Sequence, residues 1–147
     1  MNDRFMKLAL KEAQKAYNQM DVPVGCVIVY NNKVISKGYN RREKDQNVIK
    51  HAEIEAISKA CKALKSWRLN DCIIYTTLFP CPMCASAIQQ SRISKLIYLN
   101  DTSNKTSNNI SLSILFNENL NHRVKIDKIE VENSIINEFF KEIRKVK

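Results

Sequence analysis

The chain has 147 residues, 24 Lys and Arg against 15 Asp and Glu for a net charge of +9, and 44% apolar residues. That length and apolar content suit one well-buried domain and exclude two, and two glycines with three prolines exclude a collagenous or Pro/Gly-rich linker chain. No run reaches the roughly 18 apolar residues of a membrane helix, and charged residues interrupt any secretory signal in the first 20 positions, so the expectation is a cytoplasmic protein with no membrane association.

Phe5, Leu8, Ala9, Ala16, Tyr17 and Met20 recur at helical steps and predict a first helix over 3–19, with Asp3 able to cap its start. Val24 to Tyr30 is a β-branched run, and the turn dipeptide Asn31-Asn32 leads into Val34 to Gly38, which together read as a hairpin. A helix follows over 52–64, with Ile54, Ile57, Cys61 and Leu64 at helical period as its expected core face. Cys72 to Thr77 reads as a buried strand, Pro82 to Ser91 as a short helix, and Lys95 to Leu99 as the next strand. The polar stretch Asn100 to Asn109 is expected to be a loop. Ile110, Leu112, Leu115 and Phe116 suggest a short helix, Val124 to Ile126 a brief strand, and 132–145 a terminal helix with Ile135, Ile136, Phe139, Phe140 and Ile143 inward. Alternation of strands and helices predicts parallel pairing with helices covering both faces of a sheet, an α/β architecture.

Five cysteines, an odd number with no export signal, read as thiols or metal ligands and not as a disulfide framework. His51-Ala52-Glu53 opens one helix, and Pro80-Cys81-Pro82-Met83-Cys84 opens another. One imidazole and two thiolates are a three-ligand set for Zn²⁺, which favours four-coordinate N/S sites and, in catalytic centres, leaves its last position for water. Cys81 and Cys84 are three apart and so are neighbours on one helix face; the positive helix N-terminus favours their thiolates, and Pro82 suits a first helical position. Glu53 lies roughly 200° around a helix from His51, placing it outside the ligand set, where it can exchange protons with a water that zinc has brought to a pKa of about 7. This equipment suits hydrolysis at a carbon bearing a leaving nitrogen. A closed structural zinc site would need a fourth protein ligand, and Cys26, Cys61, Cys72 and His122 are the candidates.

The pattern His51-x-Glu53 with Pro80-Cys81-x-x-Cys84 resembles the zinc cytidine/adenosine deaminase signature. Asp21-Val22-Pro23-Val24-Gly25, Gly38-Tyr39-Asn40-Arg41, Thr77-Leu78-x-Pro80, Ser91-Arg92-Ile93 and Asn121-His122-Arg123-Val124 extend that likeness, in order and over nearly the whole chain, to the bacterial tRNA-specific adenosine deaminases. The resemblance implies a single deaminase domain over 1–147 with a cytidine-deaminase-like three-layer α-β-α sandwich, a mixed five-stranded sheet with helices on both faces. It implies one Zn²⁺ per subunit on His51, Cys81 and Cys84, Glu53 as proton shuttle, and Asn40 and the Ala52 amide on the substrate. It further implies a homodimer acting on a tRNA anticodon stem-loop to convert wobble adenosine to inosine. Two places depart from it: Phe79 stands where the family usually has Glu, and Asp101 or Thr102 stands in for an RNA-contacting Asp.

Two alternatives remain at this point. A free-base guanine deaminase shares His-Ala-Glu and Pro-Cys-Pro-Met-Cys, but a small neutral base needs no basic surface. Residues 31–70 carry ten basic against four acidic side chains, a net of +6, which with Ser91-Arg92-Ile93 and Asn121-His122-Arg123 favours an RNA partner. A non-catalytic zinc-structured RNA-binding module would have no use for Glu53 beside an open zinc position.

Overall fold

A computed structural model describes residues 3–146. The chain runs α1 (Asp3–Asn18), β1 (Gly25–Tyr30), β2 (Lys33–Tyr39), α2 (Arg42–Asp45), α3 (Ala52–Leu64), β3 (Ile73–Leu78), α4 (Pro82–Gln90), β4 (Lys95–Asn100), α5 (Lys105–Leu115), β5 (Lys125–Lys128) and α6 (Ile135–Val146). Asn31 and Asn32 close the predicted hairpin with φ of 51° and 63°, the left-handed pair that matches the twist of the flanking strands.

The five strands form one sheet in the order β2-β1-β3-β4-β5. β3, β4 and β5 pair in parallel as expected, but β3 meets β1 antiparallel. The tight hairpin sends β2 to the sheet edge, so α3 carries the chain over β1, and β3 runs parallel to β2 without touching it. The sheet is mixed.

Strand alternation divides the interior in two. Cys26, Ile28, Ile74 and Leu96 face α3 and α4 in a core with Ala52, Ala56, Ala60 and Ile88. Val27, Val29, Tyr75, Ile97 and Leu99 face the other way, against Phe5, Met6 and Ala9 of α1. α6 joins that second layer through Phe139, whose ring meets Tyr17 edge-on at 5.6 Å. The arrangement is the three-layer α-β-α sandwich.

Three helix faces differ from the periodicity reading. On α3 the fully buried stripe is Ala52, Ala56 and Ala60, with Ile57, Cys61 and Leu64 only partly buried at its flanks. The cause is close approach: a Cβ on Gly38 of β2 would land on the Ala52 carbonyl, so only small side chains fit between helix and strand. α5 begins inside the stretch expected to be loop, because Asn104 caps it by accepting the Ser107 N–H at 3.0 Å. Its buried positions are Ser111 and Leu115, while Ile110, Leu112 and Phe116 are exposed. On α6, Ile135 and Phe139 turn inward and Phe140 is exposed.

Candidate metal centre and active site

The sheet and its helices bring two helix starts together. His51 is the N-cap residue of α3 and Cys81 that of α4, each with extended backbone, and neither side chain caps its own helix. Both are therefore available to turn toward one another. His51 Nδ1 lies 3.7 Å from Cys81 Sγ and 3.6 Å from Cys84 Sγ, and the three ligand atoms fall within 4.8 Å of one another. A tetrahedral Zn²⁺ with bonds of about 2.3 Å to sulfur and 2.0–2.1 Å to nitrogen spaces S and N about 3.6 Å apart. The donor set fits the ion, with Nδ1 as the histidine donor. Pro82 occupies the first turn of α4, where its missing N–H is no loss.

Electrostatics in this cluster follow from burial and sharing of protons. The Cys81 thiol is pulled down to about 4, first by its hydrogen bond with Cys84 and then, against the cost of burial, by its hydrogen bond with His51. Cys84 is pushed up by the same shared bond and by burial, and His51 is raised by the hydrogen bond to Cys81. The downward shift of Cys81 favours its thiolate beside the imidazole, and binding of a metal would expel the remaining thiol proton. Glu53, only 4% exposed, is pushed up to about 7 by burial, with the Cys81 thiolate adding to the shift and its own backbone hydrogen bond opposing it.

Among the described residues no fourth protein ligand joins this group. Cys26 donates its S–H to the Ala52 carbonyl at 3.1 Å, and Cys61 is directed at the Trp67 carbonyl. Cys72 is fully buried in the apolar core. His122 Nε2 sits 2.7 Å from the Ile93 carbonyl, which makes it a tie between loops. A closed structural site is therefore not built.

The cluster opens into a cavity of about 160 Å³, smaller than the roughly 300 Å³ at the low end for drug-sized ligands and on the scale of a single base. Glu53, His51, Ala52 and Cys81 line it together with Asn40, Arg42, Val24 and Leu78. The structure thus brings Asn40, Ala52 and Glu53 to one cavity with His51 and Cys81, and Cys84 to the same donor group, whereas Cys61, His122, Phe79 and Asp101 lie outside it. Asn40 also works as a turn residue: its Oδ1 accepts the Arg42 N–H at 3.1 Å and its Nδ2 donates to the Val22 carbonyl at 3.1 Å. Sequence reasoning missed Arg42 as a wall residue, although it sits in the basic stretch. Phe79, the departure from the family pattern, turns away from the cavity into the core and packs edge-on against Tyr98 at 4.9 Å; Leu78 is the strand-end residue that meets the cavity. Asp101 pairs with Lys128 on the exposed surface.

Comparison with known proteins agrees with this geometry. The cytidine and deoxycytidylate deaminase zinc-binding region matches residues 1–100. The tRNA-specific adenosine deaminase of Bacillus subtilis is 38% identical over 149 aligned residues, covering 99% of this chain and 92% of its own. A structure from studies of A-to-I editing by tRNA:A34 deaminases at the wobble position superposes with a TM-score of 0.76 at 36% identity, covering 85% of this chain and 96% of its own. Guanine deaminase from Bacillus subtilis superposes with a TM-score of 0.67 at 30% identity, covering 99% and 95%. Likeness that runs the length of the molecule, together with the match across its zinc-binding region, makes this chain a member of the cytidine and deoxycytidylate deaminase family.

Proposed function

We propose that the chain hydrolytically deaminates the wobble adenosine of a tRNA anticodon to inosine, releasing ammonia. The observation that carries the chemistry is the position of Glu53: buried, on the wall of the same cavity as His51 and Cys81, yet outside the three-donor group. His51, Cys81 and Cys84 hold one Zn²⁺, which when bound supplies a Lewis acid that activates water at neutral pH. Glu53 takes a proton from the attacking water and delivers it to N1 of the adenine, and then passes the second proton to the departing amine. A C6–O bond forms and the C6–N6 bond breaks, so adenosine and water become inosine and ammonia. The Ala52 N–H, at the start of α3, orients the reacting centre, and Asn40, which lines the same cavity, holds the nucleoside. The base reaches this cavity flipped out of its stack.

Support for tRNA as the substrate comes from the names of the relatives and from the basic surface, and support over a free base from the greater likeness to the tRNA:A34 deaminase structure than to guanine deaminase. Residues 1–147 work as one deaminase domain built on one sheet. The exposed Ile110 and Leu112 of α5 and Phe116 just beyond its end are apolar surface that a second copy would cover, in keeping with a homodimer. No described helix is long and apolar enough to cross a membrane, and the cytoplasm is the proposed site of action.

The test is to incubate the zinc-loaded protein with an anticodon stem-loop carrying wobble adenosine. The parent should yield inosine and ammonia, and Glu53→Gln should keep one zinc per chain while losing activity by about 10²-fold or more. Substantial turnover by Glu53→Gln, or loss of its zinc, would refute the assigned role.

A further inference from the structure

The carboxylate of Asp21 is fully buried and contacts neither the metal donors nor the cavity. Its partners are amides. Oδ1 accepts the Glu43 N–H at 2.7 Å, and Oδ2 accepts the Lys44 N–H at 3.1 Å and Gln19 Nε2 at 3.2 Å. Gln19 Nε2 in turn donates to the Asn40 carbonyl at 3.2 Å. These contacts answer a structural problem posed by α2. That helix has four residues and buries none of them, and its own N-cap residue, Arg41, supplies no side-chain cap. A single turn without packing or caps is unstable in water. The caps come from elsewhere: Asn40 takes the Arg42 amide, and Asp21, 22 residues from Glu43, takes the next two, with its negative charge aligned to the helix start.

The consequence reaches the cavity, because the residues leading into this turn are its wall. Asn40 and Arg42 line the cavity beside Glu53, and Arg42 also lines the adjoining groove toward Phe139 and Phe140 of α6. We propose that Asp21 is a positioning residue for this substrate-facing wall, fixing the 40–45 turn so that Asn40 and Arg42 stand ready for the flipped-out nucleotide. The kinetic part of this inference rests on the reading of the chain as an RNA adenosine deaminase; the structural part does not.

The test compares the parent with Asp21→Asn, which replaces one acceptor by a donor, and with Asp21→Glu, which keeps the carboxylate. Ser94→Ala serves as control, since it deletes a hydrogen bond to the Cys72 carbonyl remote from the turn. Measured are zinc content, hydrogen exchange of the 42–45 amides, and steady-state kinetics on the stem-loop. Asp21→Asn should keep its zinc, exchange those amides faster, and raise KM by about tenfold, the equivalent of one charge-assisted hydrogen bond, with kcat within about threefold of the parent. Asp21→Glu should recover most of both effects, and Ser94→Ala should show neither. Parental exchange and KM in Asp21→Asn, a fall in kcat alone, or an equal rise in KM in Ser94→Ala would each overturn the proposal. Should Asp21→Asn fail to fold, Gln19→Ala cuts the same network more gently, and a KM unchanged there counts against the proposal. If the parent makes no inosine at all, the functional reading fails, and the exchange measurement alone decides whether Asp21 holds the turn.

Discussion

Ser111 shows how much of a metal centre can rest on a residue that does no chemistry. It reaches from α5, fully buried, to donate its hydroxyl to the Pro80 carbonyl at 2.8 Å, pinning the peptide that precedes Cys81. Ser111→Ala should strip that buried carbonyl of its partner and cost about 1–3 kcal/mol, read as a lower thermal midpoint, and should weaken zinc retention against a competing chelator. Ser113→Ala, which loses only an exposed bond to Ile110, should change neither; equal behaviour of the two variants would remove Ser111 from the account. The ligands themselves were legible in the sequence because His-x-Glu and Cys-x-x-Cys are local patterns, each confined to one helix start. Ser111 and Asp21 were not, because their partners lie 31 and 22 residues away and nothing local marks a hydroxyl or carboxylate that will be consumed at such range. Phe79 could be seen as a departure, but only the fold reveals that its ring belongs to the core and leaves the cavity wall to Leu78.

At the scale of elements, α3 positions His51 and Glu53, and it does so through its small residues. Apolar period identified its extent correctly and its buried face wrongly, since counting isoleucines and leucines overlooks alanines that let a helix lie close to a strand. Gly38 is the counterpart of that stripe. Gly38→Ala should place a methyl against the Ala52 carbonyl, lifting the first turn of α3 from β2 and costing about 1–3 kcal/mol by overpacking, with weaker zinc retention because His51 adjoins the displaced turn. Gly25→Ala makes the same intrusion into α1 and should destabilise the fold with less effect on zinc. Denaturant unfolding and chelator competition on both variants check this; zinc retention lowered equally in both would show no special link between Gly38 and the site. α5 illustrates the opposite failure of local reading. Its polar start reads as loop by composition, whereas the Asn104 side chain supplies the cap that lets helix begin there.

Across the whole molecule, helices on both faces of a sheet were legible from the alternation of elements, but the antiparallel meeting of β1 and β3 was not, because it depends on which edge the hairpin occupies. Charge also looks different in three dimensions. The basic stretch of 31–70 does not all surround the cavity: Arg41, Arg42, Lys44 and Lys50 lie at its end of α3, whereas Lys62, Lys65 and Arg68 lie about 20 Å away along the helix, with Arg68 and Arg92 against the exposed Trp67 ring. Such a spread suits a ligand larger than one base, and a polyanion above all. The central claim, that this site acts on adenosine carried by RNA, is tested most directly by offering the zinc-loaded protein an anticodon stem-loop with wobble adenosine and free guanine together, between about 50 and 200 mM salt. The account predicts inosine without xanthine, at a subsaturating rate that falls by roughly tenfold or more across that range. Xanthine formed while the adenosine stays intact, at a rate indifferent to salt, would contradict it.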